Sequence, residues 1–134
     1  MASKKIINSS GKRKSAVARA TVREGKPFVK VNNVSLDVLE PNMARLRIQE
    51  PLLLAGDVVN KLSISVNVHG GGVTSQADAV RLAIAKALAD YNDGLRQVFL
   101  NYDRQLLVAD VRRKETRKPN SHGKARAKRQ KSYR

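Results

Sequence analysis

Leu62-Ser63-Ile64-Ser65-Val66-Asn67-Val68 is the cleanest alternation in the chain, and Gly70-Gly71-Gly72 and a helical stripe follow it directly. Four aliphatic side chains fall on one face of the run, two serines and an asparagine on the other, so in extended backbone it is a strand with one buried face. Beyond the glycines, Ser75 stands three residues before Asp78, a spacing that predicts a capping box opening a helix. Ala77, Val80, Ile84, Ala87, Leu88 and Tyr91 then recur at helical spacing, and the alanines let this stripe lie close on a sheet. Asn92-Asp93-Gly94 supplies the stop, with Gly94 expected as a left-handed C-cap.

Upstream, Ala16 to Val22 alternates with period two, and after Glu24-Gly25-Lys26-Pro27 a second extended run, Phe28 to Val31, begins; together they predict a hairpin. Asn32-Asn33 marks another turn. From Asn42 to Leu54 the apolar spacing is helical but crosses Pro51, which predicts two short helical pieces. Downstream, a short apolar segment runs from Leu95 to Leu100, and Leu106 to Val111 reads as the last strand. Strands, helix, strand, long helix and strand in that order point to an α+β fold, a two-layer sandwich with helices against one sheet.

A chain of 134 residues with 41% apolar content supports one domain. Its body is expected over residues 1–111, with residues 112–134 as an extended basic tail. Without cysteine, disulfides, thiolate nucleophiles and cysteine-ligated zinc are excluded, which fits a reducing cytoplasmic setting. The longest apolar run, Leu52 to Ala55, is far below membrane-spanning length, so neither export nor membrane insertion is expected.

The formal net charge of +16 is unevenly spread: residues 1–26 carry +7, residues 27–111 carry −1, and residues 112–134 carry +10. A nearly neutral body flanked by cationic segments is what docking on a polyanion requires, with the ends threading along phosphates. Eleven cations against one carboxylate in the last 23 residues exceed what solubility needs and cannot form a core, so the tail is expected to order only when bound. Arginine forks and lysine point charges track a backbone without spelling a base sequence. Tyr133 offers a stacking surface for a base or ribose, although a solvated terminal tyrosine has the same composition. A nonspecific DNA- or RNA-compacting protein would share this charge pattern.

No catalytic constellation emerges. His69-Gly70-Gly71-Gly72 resembles an esterase oxyanion loop, yet no Gly-x-Ser-x-Gly elbow accompanies it. A strand-to-helix turn explains the glycines, and their amides at a helix N-terminus can also hold an RNA phosphate. Gly11-Lys12-Arg13-Lys14-Ser15 lacks the preceding glycine of a nucleotide-binding loop. Asp90-Tyr91-Asn92-Asp93-Gly94 has its glycine one position early for a calcium loop. With only His69 and His122 and no cysteine, no metal-ligand spacing is visible. Neither enzyme activity nor a cofactor is expected.

Three stretches carry a resemblance: Gly11-Lys12-Arg13-Lys14-Ser15-Ala16-Val17-Ala18-Arg19; Gly70 to Arg81 continuing through Lys86-Ala87-Leu88; and Asp110-Val111-Arg112-Arg113-Lys114-Glu115 running to Gln130-Lys131-Ser132-Tyr133-Arg134. Together they resemble the small-subunit ribosomal protein nine family over essentially the whole length, the glycine-rich segment and its helix being the most specific part. The resemblance implies a four-stranded sheet with helices on one face, placed in the head of the small ribosomal subunit beside other head proteins and bound mainly to ribosomal RNA (rRNA). It also implies a tail threaded through RNA toward the anticodon stem-loop of peptidyl-site tRNA. On this chain Lys131, Ser132, Tyr133 and Arg134 become the tRNA-facing tip, and Lys124, Arg126, Lys128 and Arg129 line the rRNA path. The remaining candidate rRNA contacts are Lys12, Arg13, Lys14 and Arg19, the glycines Gly70, Gly71 and Gly72, and the tail root Arg112, Arg113, Lys114, Arg117 and Lys118. The Ser-Tyr-Arg ending looks like archaeal and eukaryotic members. Asn120-Ser121-His122-Gly123 departs from the more glycine-rich stretch expected there.

Overall fold

A computed structural model describes residues 4–120, 122–126 and 132–133. Five strands form one mixed sheet: β1 (Ile6–Arg13), β2 (Ala16–Glu24), β3 (Phe28–Val31), the two-residue β4 (Val34–Ser35) and β5 (Leu62–His69). Helices α1 (Asn42–Ala55), α2 (Val73–Tyr91) and α3 (Gly94–Tyr102) complete the fold, with short 3-10 turns at Leu36–Val38, Gly56–Lys61 and Arg104–Leu106. The sheet order is β1-β2-β5-β3-β4, antiparallel throughout except for the parallel pair β3 and β5.

β5 is the centre of the sheet, and its alternation is realised in full. Leu62, Ile64, Val66 and Val68 are buried beneath the helices, joined by Ala16, Ala18, Ala20 and Val22 of β2 and by Val31 of β3. The hairpin expected between 16–22 and 28–31 does not form. β2 instead pairs with β1, Ile6 opposite Arg23 and Arg13 opposite Ala16, while β3 lies on the far side of β5. The N-terminal cations of residues 6–24 are thereby built into the sheet and do not form a threading arm. The fifth strand, β4, turns back from β3 through Asn32 and Asn33, both at positive φ. The Asn32 side chain prolongs the pairing with β5, donating to the Val68 carbonyl (3.0 Å) and accepting from the Val68 N–H (2.8 Å).

α2 is enclosed by the sheet on one side and by α1 and α3 on others, and ten of its residues are buried, six of them alanine. It begins at Val73, two residues before the expected capping box; Gly72 is the N-cap, and no side chain caps the helix. Gly94 opens α3 and is not a left-handed cap, because the chain re-enters helix at once. α1 runs unbroken through Pro51. That residue withholds one N–H from the Arg47 carbonyl, but it is buried against the core and close to the helix end, where only one more turn follows. The expected last strand is absent: Leu106 packs into the core from a 3-10 turn, and Leu107 to Asp110 continue, half-buried, without pairing.

The other face of the sheet is uncovered. It presents Asn8, Ser10 and Lys12 from β1, Arg19 and Arg23 from β2, Ser65 and Asn67 from β5, and Phe28 and Lys30 from β3, all exposed. The closest approach lies on the covered side, where Gly11 of β1 meets α2. A Cβ at Gly11 would stand 2.3 Å from the Ala79 carbonyl oxygen and 2.7 Å from the Ala83 nitrogen. Both are backbone atoms, so the strand or the helix would have to move. Gly11→Ala is therefore expected to lower stability by about 1–3 kcal/mol, read as an earlier urea midpoint; an unchanged midpoint would refute the contact.

Candidate nucleic-acid interface

The two sequence motifs that carry the phosphate-binding expectation meet at one corner. β1 and β2 are joined by Lys14 and Ser15, Lys14 at φ 52°, and the glycine turn between β5 and α2 lies directly against them. Gly70 (φ 77°) passes so near Ser15 that a Cβ would sit 2.5 Å from the Ser15 carbonyl oxygen; at Gly71 (φ 65°) it would meet the Ala16 nitrogen at 3.1 Å. Both positions need glycine twice over, for conformation and for space. Gly72 faces open space. The Gln76 amide donates to the Gly70 carbonyl (3.1 Å), fixing the turn, and α2 directs its first N–H groups outward from this corner. Lys12 and Lys14 stand exposed beside it, and Arg19 is exposed on the next strand. His69 is exposed too, its Nδ1 3.3 Å from the Val17 carbonyl oxygen.

Arg13 points the other way. It pairs with Asp110, 97 residues later, and approaches Asp78 of α2 at 3.8 Å; Asp78 also receives Arg47 of α1. Asp110 is gripped by Arg112 through the guanidinium (2.9 Å) and the backbone N–H (2.8 Å). Those bonds, from the Arg112 side chain first and its backbone second, hold the Asp110 carboxyl well below the usual carboxylate range. Beside this chain of charges, Arg81 of α2 bridges Glu50 (2.5 Å) and Asp103 (3.1 Å). Burial alone would favour its neutral form, but the hydrogen bonds to Asp103 and Glu50 more than offset that, and its pKa is raised. Asp103 is lowered, mainly by the Gln105 N–H and secondarily by Arg81. Among the described residues the Arg81 Nε is the buried side-chain polar atom without a partner. All of these groups except Glu50 line a half-open cleft of about 300 Å³ between β1, α1, α2 and the segment leading into the tail.

Past the cleft the described residues form no helix or strand. Arg113, Lys114, Arg117 and Lys124 are exposed. Glu115 receives both Lys118 and Arg126, and the Lys118 N–H donates to the Lys124 carbonyl (3.1 Å). Ser132 and Tyr133 are exposed. Lys128, Arg129, Lys131 and Arg134 lie outside the described residues. Among those residues no cluster of His, Asp or Glu is arranged to hold a metal, and no helix is long and apolar enough to cross a membrane.

The sequence pattern of the family described as Ribosomal protein S9/S16 matches residues 11–134. The chain belongs to that family. Two relatives make the likeness concrete. The small ribosomal subunit protein uS9 of Methanothrix thermoacetophila is 47% identical over 132 residues, covering 97% of this chain and 99% of the relative. The protein of the same name from Methanococcus maripaludis is 43% identical over 133 residues, again 97% and 99%. The ribosomal S9/S16 match takes in the corner, the cleft and the tail together.

Sequence reasoning singled out Lys12, Lys14 and the glycines as separate motifs, without showing that the glycine turn lies against Ser15 and Ala16, and it missed the cleft. Arg47, Asp78, Arg81 and Asp103 meet partners 22 to 31 residues away, beyond any local spacing rule. The one local signal was Asp110, a carboxylate standing two residues before the cationic run that opens at Arg112.

Because Arg13 ties the tail root to β1, Arg13→Gln is expected to speed amide exchange over residues 104–112 about fivefold, the equivalent of about 1 kcal/mol, with the sheet unchanged. Equal protection would refute the tie. Asp103 and Asp110 are both depressed in the folded state, so their contribution is complete above the ordinary carboxylate pKa near ~3.9 and is lost as pH falls below it. Urea midpoints should drop more steeply between about pH 4 and pH 2 for the wild type than for an Asp103→Asn/Asp110→Asn variant.

Proposed function

We propose that this chain is a structural component of the small ribosomal subunit, working in the cytoplasmic ribosome. Its body docks on rRNA through the corner of Lys12, Lys14 and Gly70–Gly72, and its tail, residues 112–134, extends along rRNA toward peptidyl-site tRNA. The observation that carries the reading is the division of charge within a member of the ribosomal S9/S16 family. Carboxylates inside the body neutralise Arg13, Arg47 and Arg81, whereas Lys12, Lys14, Arg113, Lys114 and Arg117 are exposed and have no carboxylate partner among the described residues. Exposed unpaired cations release phosphate counterions on binding; paired ones cannot do so without breaking a bridge.

The body fixes register, and the tail adds positive charge near tRNA phosphates without reading sequence. Lys131, Ser132, Tyr133 and Arg134 form the tip in this reading, with neighbouring head proteins completing the surroundings. A DNA-compacting role is the competing assignment, and competition between duplex DNA and structured rRNA separates the two.

Sedimentation of the protein from lysate through a sucrose gradient should place it with small subunits, and ribonuclease should abolish that position. A protein remaining at the top, or travelling with DNA, contradicts the assignment. Deleting residues 131–134 should weaken peptidyl-site tRNA binding most at low salt and flatten the salt slope by about one to two units. An unchanged slope refutes the tail's contact with tRNA and leaves rRNA docking standing.

A further inference from the structure

The uncovered face of the sheet is a surface that no local motif announces. Strand register sets its pattern. Across the sheet, Arg19 stands beside Asn67, Arg23 beside Ser63, and Ser65 beside Lys30. The central strand β5 thus offers a floor of short polar side chains, and long cations rise from β2 on one side and β3 on the other. Adjacent strands are ~4.8 Å apart, so the two cationic rims are separated by about 10 Å. No Asp or Glu occupies an outward-facing strand position, although residues 1–111 carry ten carboxylates against sixteen cations. None of Arg19, Arg23 and Lys30 forms an ion pair among the described residues, and the Lys30 ammonium lies 5.1 Å from the centre of the exposed Phe28 ring.

We propose that this open face is an RNA-binding trough that takes one ribose-phosphate strand of rRNA along β5. The inference rests on the rRNA-docking reading above and adds to it a surface separate from the corner and the tail. Charge complementarity commits the occupant. A protein partner would have to supply several carboxylates at this spacing, whereas a nucleic-acid strand supplies an anion at every residue. Serine hydroxyls and the Asn67 amide on the floor are the donors and acceptors that a 2′-hydroxyl can meet, and Phe28 under its lysine gives one base a stacking face. Arg23 and Lys30 become binding residues that sequence reasoning did not single out; Arg19 gains a specific place on the rim.

The test uses the full chain. Arg19→Gln/Arg23→Gln/Lys30→Gln should bind a small-subunit rRNA transcript at least tenfold more weakly at low salt and flatten the salt slope by about two units, and a charge-conserving double control (Arg19→Lys/Arg23→Lys with Lys30 kept) should retain the slope. A wild type that binds rRNA while the glutamine variant matches it overturns the trough alone. A wild type that fails to bind rRNA overturns the docking reading and the trough with it. Because the chain has no cysteine, Ser65→Cys provides a single attachment point for an iron chelate, independent of whether the triple variant folds. In reconstituted subunits the tethered chelate should cut one contiguous stretch of rRNA. Absence of cuts, with the thiol either open to alkylation or shielded by protein, overturns the proposal.

Discussion

The fold depends on how closely β1 can lie on α2. At Gly11 there is no room for even a methyl group between strand and helix backbone, and the helix answers with alanines at 79 and 83. That contact sets the height of the hairpin above the helix. It is also what brings the Lys14–Ser15 turn down onto Gly70 and Gly71, so the cationic corner follows from a packing constraint. Lys86 secures the same approach from the helix side, donating to the Ser10 carbonyl at 3.0 Å.

Charge is sorted in space more sharply than the net value of the body suggests. Asp78, Asp103 and Asp110 gather in one cleft with Glu50 beside it, where together they hold three arginines of β1, α1 and α2 and the first residue of the tail. The body, at +6 over residues 1–111, is therefore locally neutral at the cleft and carries its excess positive charge at the corner and on the open sheet face. Neutralising the arginines of the cleft keeps the root of the tail seated on the domain, and the cations beyond Arg112 start from a fixed point.

What could be read from the sequence was what is local. The alternation of β5 and the stripe of α2 each lie within one element, and both are realised. β1 left no such trace, because its inward positions are Ile7, Ser9 and Gly11: the space an alternating strand would fill with side chains is filled here by helix backbone. With β1 unseen, β2 was matched to the next extended run, and the Gly25–Pro27 turn lent that pairing a false support. Leu106 to Val111 has the composition of a strand, yet it pairs with neither edge of the sheet and spends its one fully buried leucine on the core. The corner was half legible, as two motifs whose meeting only the topology determines. The cleft was legible only in the neighbouring pair Asp110 and Arg112, since its other ion pairs join elements that follow one another at long intervals.

The strand order has a consequence for how the molecule is made. β5 pairs with β2 on one side and with β3 on the other, and it is also the last strand in the chain. As the polypeptide emerges, β1 with β2 and β3 with β4 can form only two separate hairpins, each with an open edge and an apolar face that has nothing to rest on. The sheet comes into being when residues 62–69 slide between them, and α2 follows within four residues to cover the seam. The centre of the structure is laid last, like a keystone, so synthesis through residue 91 must be complete before the earlier strands share a common core.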